Sequence, residues 1–229
     1  MKNLLLLICL FFFYSMLSQK KYSFDYGLEY NFEEINMKPS KPKIFLINSH
    51  ENNFYLHIYN LDSLNFAVNF YDHEGLMINS KMNKNAFFKA ETINNDCTNI
   101  LRNIHNYNYD YYFVNYNDTI IKDTMYHHYA LKSNKSIKYQ KKKKINTVHY
   151  IVYKTKYPFL PFFFGWDLYE KWKKTKSIPN GLLKIAYYVD TEGVEKARLT
   201  LKSITKIEKY LTLPEECDYT KLPIPSQQF

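Results

Sequence analysis

The sequence predicts a mainly β protein, with a single antiparallel, strongly curved sheet or half-barrel of about ten strands and one or two short helices. Apolar and polar residues alternate with period two through much of the chain, as in strands that bury one face. Hydrophobic residues make up 46% and charged residues 23% of the 229 residues, which is typical of a folded globular protein. Only two stretches have helical spacing, and no internal repeat divides the chain.

The clearest alternation runs from Leu64 to Phe70, and the polar tract 71–75 predicts a hairpin turn into a returning strand over 76–81. The other predicted strands cover 21–33, 43–48, 54–60, 109–116, 119–131, 145–154, 182–190 and 194–207. A helix over Asp96–Asn106 would begin at the capping residue Asn95. A second helix is predicted over Trp166–Lys174, since Pro179 ends any helix there.

The N-terminus has the pattern of a cleaved signal peptide. A short positive start is followed by an apolar run over 4–17, which is too short to span a membrane because a spanning helix needs about 20 residues. We therefore expect a signal peptide over 1–18, a β-rich domain over 19–213 and a Pro-containing C-terminal tail over 214–229. The mature chain should be exported to the periplasm or the extracellular space and should carry no transmembrane span.

The basic charge does not indicate a nucleic-acid partner. Thirty-one basic residues face 22 acidic ones, but all except Arg102 and Arg198 are lysine. Base and phosphate recognition uses the bidentate arginine fork, whereas abundant Lys, Asn, Ile, Tyr and Phe are typical of A/T-rich codons. The run Lys141–Lys144 is typical of a solvated turn, with binding to anionic lipid headgroups as the alternative.

Two cysteines remain after the predicted cleavage. Cys97 and Cys217 could form a disulfide in an oxidising compartment, or both could stay as free thiols. The sequence leaves both alternatives open.

Motifs for catalysis or metal binding are missing from the sequence. It has no glycine-rich phosphate loop, no Gly-x-Ser-x-Gly, no His-Glu-x-x-His and no Cys-x-x-Cys. The tract Asp72-His73-Glu74 is typical of a polar turn, and the adjacent His127 and His128 should point to opposite faces of a strand. We therefore predict no catalytic residue, no metal and no cofactor, and an enzyme is the least favoured class.

The segment from Tyr157 to Trp172 concentrates aromatic residues and is broken by prolines, which predicts a hydrophobic loop leading into a short helix. Two interpretations stay open. The segment could plug the core at an open end of the sheet, or it could rim an apolar cavity or contact a membrane or partner. In the second case the candidate ligand-binding residues are Phe159, Phe162, Phe163, Phe164, Trp166, Tyr169 and Trp172.

The C-terminal half resembles a known family. A strand over Val148–Lys154, the aromatic stretch, the turn Ile178–Ile185 and a last strand ending at Ile204 follow the order found in the exported Bacteroidota proteins of the GLPGLI family. The signature of that family falls at Ile178–Leu183, with Asn180 inserted. The same region is loosely similar to the half-barrel of LolA-like lipoprotein carriers. The resemblance implies an antiparallel sheet curved around an apolar interior and implies no catalytic residue.

Together these features predict a non-catalytic binder or carrier of an apolar or lipid-like ligand in the cell envelope. The alternative is an envelope interaction or structural module with a filled core, whose partner is another envelope protein.

Overall fold

The computed structural model describes residues 19–35, 37–102, 110–164 and 166–218; the predicted signal peptide and the end of the predicted tail lie outside these ranges. The strands are β1 Gln19–Glu34, β2 Met37–Ile47, β3 Phe54–Asn60, β4 Asn65–Asp72, β5 Leu76–Asn83, β6 Thr92–Asn94, β7 Ile100–Arg102, β8 Tyr111–Asn115, β9 Thr119–Ile121, β10 Thr124–Ser133, β11 Thr147–Tyr153, β12 Leu183–Val189 and β13 Glu195–Pro214. The helices are α1 Lys84–Lys89, α2 Ile137–Lys143 and α3 Trp166–Thr175, with 3-10 turns at Cys97–Asn99 and Glu215–Cys217.

The described strands form one sheet in the order β7-β5-β4-β3-β2-β1-β13-β12-β11-β10-β8, with β9 beside β10 and β6 beside β13. Every pairing is antiparallel except that of β6 with β13. Strand β13, with 20 residues, pairs with β1 along nearly its whole length. The predicted mainly β, curved antiparallel sheet is therefore confirmed.

The half of the sheet from β13 to β5 curls toward a barrel. The strip Thr92–Arg102 spans its two ends, because β6 pairs with β13 and β7 pairs with β5. A disulfide between Cys97 and Cys217 joins this strip to the end of β13, with a Cα–Cα distance of 5.3 Å. Cys217 lies in a 3-10 turn and is buried, so the predicted tail begins with a turn that packs against the domain.

The sheet carries a hydrophobic cluster on each face. Alternation along β2 sends Phe45 and Ile47 into one cluster and Leu46 into the other, so both faces of this strand are covered. The first cluster includes the segment around α3, and the second lies inside the curled half beside α1. In the described residues, no helix is long and apolar enough to cross a membrane.

Three local predictions were wrong. The helix expected over Asp96–Asn106 is absent from its described part: Asp96 caps only a 3-10 turn, and Ile100 then pairs with Ile78 of β5. The strand expected over 119–131 is a hairpin, because Lys122 and Asp123 adopt positive φ angles of 47° and 62°. The lysine run expected as a turn lies in helix α2, which ends at Lys144 in the left-handed region.

Candidate functional site

An apolar cavity of about 310 Å³ lies between strands β1–β4, strand β13 and helix α1. Its wall is formed largely by aliphatic and aromatic side chains, namely Ile44, Leu46, Ile58, Phe66 and Ile207. Ligand pockets in proteins commonly measure about 300 to 1,000 Å³ and are lined in this way. The cavity is therefore large enough to bind a small apolar ligand.

Gly27 makes room for this cavity. It faces Leu46 across the β1–β2 pairing and Thr205 across the β1–β13 pairing, so a side chain here would project from the same face of the sheet, between the side chains of these two residues. A Cβ atom added to Gly27 would lie 3.5 Å from Leu46 Cδ2 and 3.9 Å from Ile207 Cγ2, which are ordinary contacts. The space beside β1 thus exists because this strand position carries no side chain.

Three phenylalanines form the α1 end of the cavity. The ring centroids of Phe66 and Phe87 lie 5.5 Å apart, and those of Phe66 and Phe88 lie 5.7 Å apart. Phe87 is buried, but Phe88 is 69% exposed. The short helix that presents them begins at Asn83, whose side chain accepts hydrogen bonds from the first backbone amides. A ligand at this end would cover an aromatic surface that now faces water.

Two charged residues line the cavity, and each has a partner. Lys209 Nζ donates hydrogen bonds to the carbonyl oxygens of Phe87, at 2.9 Å, and of Ala90, and so ties α1 to β13. Burial lowers the pKa of the Lys209 ammonium. Glu29 accepts hydrogen bonds from Lys202 Nζ at 2.7 Å and Ser203 Oγ at 3.1 Å, and the bond from Lys202 is the main cause that lowers the pKa of this carboxyl.

The aromatic segment highlighted by the sequence packs against the opposite face of the sheet from this cavity. It is a loop followed by helix α3, and its buried members belong to the first hydrophobic cluster. The predicted residues buried there are Phe159, Phe162, Phe163, Tyr169 and Trp172. Phe164 packs against the same cluster and is partly buried, whereas Trp166 begins α3 and its side chain lies outside the description. A role of this segment in ligand binding stays a prediction.

A buried polar cluster at the end of β4 was missed. Asp72 is fully buried and accepts a 2.6 Å hydrogen bond from the Tyr22 hydroxyl, and Lys20 Nζ lies 3.4 Å from Asp72 and 3.3 Å from Asp218. Burial, followed by the Asp72 charge, raises the pKa of Tyr22. The signal was present in the sequence, because the alternation that buries Phe70 places Asp72 on the same face.

The neighbouring His73 connects this corner to the aromatic segment. Its ring is buried and stacks on Tyr169 of α3, with 4.7 Å between the ring centroids and 10° between their planes. The tract forms the expected turn with Glu74 exposed, but Asp72 and His73 belong to the packed interior.

Histidines elsewhere lie outside the cavity lining. His128 Nε2 lies 3.0 Å from His149 Nδ1, between the stacked rings of Tyr116 and Tyr187. Burial lowers the pKa of both histidines. His127 instead bonds Asp118 at 2.8 Å near the surface. Neither arrangement brings a histidine and an acid together at the apolar cavity.

Two other features are weaker candidates for a site. A polar depression of about 500 Å³ beside α2 is larger than the apolar cavity, but four of its five charged residues pair with each other, Lys141 with Glu192 at 3.2 Å and Lys196 with Asp190 at 2.8 Å. The one described group able to gather three metal-ligand atoms is Cys97, Glu216 and Cys217, and its two sulfurs are bonded to each other. The apolar cavity is the better candidate because its lining is mainly apolar, as in most ligand pockets.

Similar solved structures are remote. The chain is similar to a domain described as an outer membrane lipoprotein-sorting protein from Vibrio parahaemolyticus, with 9% identity and a TM-score of 0.31, covering 80% of this chain and 85% of that one. It is also similar to a LolA superfamily protein from Nitrosomonas europaea, with 10% identity and a TM-score of 0.28, covering 81% and 86%.

No protein-family model matches the chain, and no curated protein matches it in sequence. The predicted likeness to LolA-like proteins is found again in the second of these structures, whereas the likeness to the GLPGLI family stays a prediction. Because these identities and TM-scores are so low, function has to be argued from the cavity residues themselves.

Proposed function

We propose that this chain is a non-catalytic binder or carrier of an apolar, lipid-like ligand, and that the ligand occupies the cavity beside Gly27. The observation that carries the proposal is a space of about 310 Å³ with a mainly apolar lining on one face of the curved sheet. Burying apolar ligand surface contributes about 25 cal/mol per Å². A filled core would offer no such space.

The exposed ring of Phe88 supports the same role. An exposed aromatic ring that continues the apolar lining of a cavity forms a patch of the kind that marks ligand-binding grooves. Phe88 is 69% exposed and contacts Phe66 and Phe87, which both line the cavity. A bound apolar chain would contact the Phe88 ring and cover part of its exposed surface.

Export belongs to the same proposal. The predicted signal peptide over 1–18 would deliver the chain to the periplasm or the extracellular space, where an apolar molecule needs a protein to cross water. The disulfide between Cys97 and Cys217 is in keeping with an oxidising compartment.

The test is a titration of the mature chain with N-phenyl-1-naphthylamine, an apolar dye that fluoresces when it leaves water. We expect saturable binding at one site, weakened severalfold by Phe88→Ala. The matched control is Ile120→Ala on β9, because Ile120 is 66% exposed and lies outside the lining. Absence of saturable binding, or equal loss in both variants, would refute the proposal and favour an envelope interaction module.

Native mass spectrometry of the protein recovered from the cell envelope, followed by solvent extraction, addresses the ligand itself. We expect an additional mass that is released by organic solvent. A clean apo mass that does not shift on adding lipids would contradict a carrier.

A further inference from the structure

The volume of the cavity limits the size of its ligand. An engineered apolar cavity of about 150 Å³ holds one benzene molecule, so a cavity twice as large accommodates on the order of 12 carbon atoms. The measured volume of about 310 Å³ therefore fits one medium-length apolar chain. A lipid with two long chains would leave most of its apolar surface in water.

The shape of the cavity points the same way. Its β13 wall runs from Ser203 to Lys209, which at the rise of a β-strand corresponds to about 20 Å. A single apolar chain of about 12 carbon atoms fits within this length.

The charged residues differ between the two ends of the cavity. Within the described residues, the charged groups that line the cavity or contact its lining side chains are Lys84, Lys202, Lys209 and Glu29. Glu29 pairs with Lys202 at one end. Lys84 Nζ lies 5.3 Å from the Phe66 ring centroid and Lys209 Nζ lies 4.9 Å from that of Phe87, so both lysines sit at the α1 end. These two ammonium groups favour a negative charge there.

We propose that the ligand is a single-chain anionic amphiphile, with one apolar chain of about 12 carbon atoms along β13 and a carboxylate or phosphate head beside Lys84 and Lys209. This inference rests on the proposed function, because it assigns a ligand class to the same cavity.

The first experiment measures displacement of N-phenyl-1-naphthylamine from the mature chain by straight-chain carboxylates from octanoate to octadecanoate. We expect affinity to rise up to about dodecanoate and then to stop rising, because further carbons stay in water. Dodecyl phosphate compares the two head chemistries, and dodecylammonium should bind more weakly than dodecanoate. If affinity keeps rising to octadecanoate, or if two-chain phosphatidylglycerol in detergent binds better, the inference is wrong while the proposed function stands. If no amphiphile displaces the dye and none binds directly, both are wrong.

The second experiment locates the head. Lys84→Gln should weaken dodecanoate about two- to fivefold, as for a partly exposed ion pair, and should leave uncharged dodecanol unchanged. Lys89→Gln is the matched control, because it removes one positive charge from the exposed side of the same helix. Equal weakening of dodecanoate by both variants, or equal weakening of dodecanol and dodecanoate by Lys84→Gln, would place the head elsewhere.

Discussion

Replacing Gly27 with valine should fill part of the apolar cavity without straining strand β1. The position has room for a Cβ atom, since the nearest neighbour of that atom would be Leu46 Cδ2 at 3.5 Å. The two further methyl groups of valine would then project into the space that a ligand chain occupies. We expect unchanged or slightly higher stability, because glycine inside a strand costs about 0.5 to 1 kcal/mol relative to alanine.

The loss of binding follows from the number of carbons displaced. Valine adds three side-chain carbons, and each buried methylene contributes about 0.8 kcal/mol, so dodecanoate should lose about 2.4 kcal/mol. Because a tenfold change in affinity corresponds to about 1.4 kcal/mol, this loss weakens dodecanoate about 50-fold. Nonanoate, which lacks the three displaced carbons, should bind the variant as well as it binds the natural chain.

Isothermal titration calorimetry with both carboxylates would measure this difference, and urea unfolding would measure stability in parallel. The matched control is Asn79→Val, which introduces valine at an exposed position of β5 outside the cavity lining. The reasoning is refuted if dodecanoate binds the Gly27→Val protein as tightly as before, or if nonanoate loses as much affinity as dodecanoate.

Three further predictions concern the disulfide, the partly buried His57 and the aromatic segment. Cys97→Ser should lower the free energy of unfolding by up to about 5 kcal/mol, because the disulfide closes a loop between residues 120 positions apart. Reduction should add the mass of two hydrogen atoms to the natural chain. An unchanged mass and an unchanged unfolding curve would contradict the bond. Burial is the main cause that lowers the pKa of His57 to about 4, from 6.5 in the unfolded chain. As pH falls from 6.5 toward 4, His57 takes up a proton in the unfolded chain before it does so in the folded protein, and this lowers the free energy of unfolding. The His57→Phe protein lacks this titration, so it should lose about 1 to 2 kcal/mol less stability over that range, a figure reduced for solvent screening. Urea unfolding at both pH values measures the difference. Trp172→Ala should lower the free energy of urea unfolding by about 3 to 5 kcal/mol because this side chain is buried in the first cluster, and an unchanged unfolding curve would contradict that packing.

Local patterns determined much of the fold in advance. The alternation around Phe66, Val68 and Phe70 defines β4, and the three side chains are buried as that pattern requires. The prolines after Tyr157 predicted a loop before α3, and this order is found. Each of these inferences depends on residues a few positions apart, whose backbone preferences and side-chain directions are set locally.

The same local reasoning failed where residues pair with a strand that is distant in the sequence. Residues after Asp96 have helical spacing, but Ile100 gains a partner in Ile78 of β5, and strand pairing replaces the helix. The short helix α1 was missed because six residues carry too little periodicity to stand out. Its position over the cavity depends on Lys209, far along the chain.

By itself, the sequence determined a curved β sheet, a predicted export signal and an abundance of apolar side chains able to build an interior. Only the tertiary structure decided where that interior stays unfilled. The cavity needs Gly27 opposite Leu46 and Thr205, and these contacts depend on the register of β1 with β2 and β13. Register is a property of strands that are distant in sequence, so no spacing along a single strand reveals it. The aromatic segment that dominates the sequence fills one face of the sheet, and the cavity opens on the other.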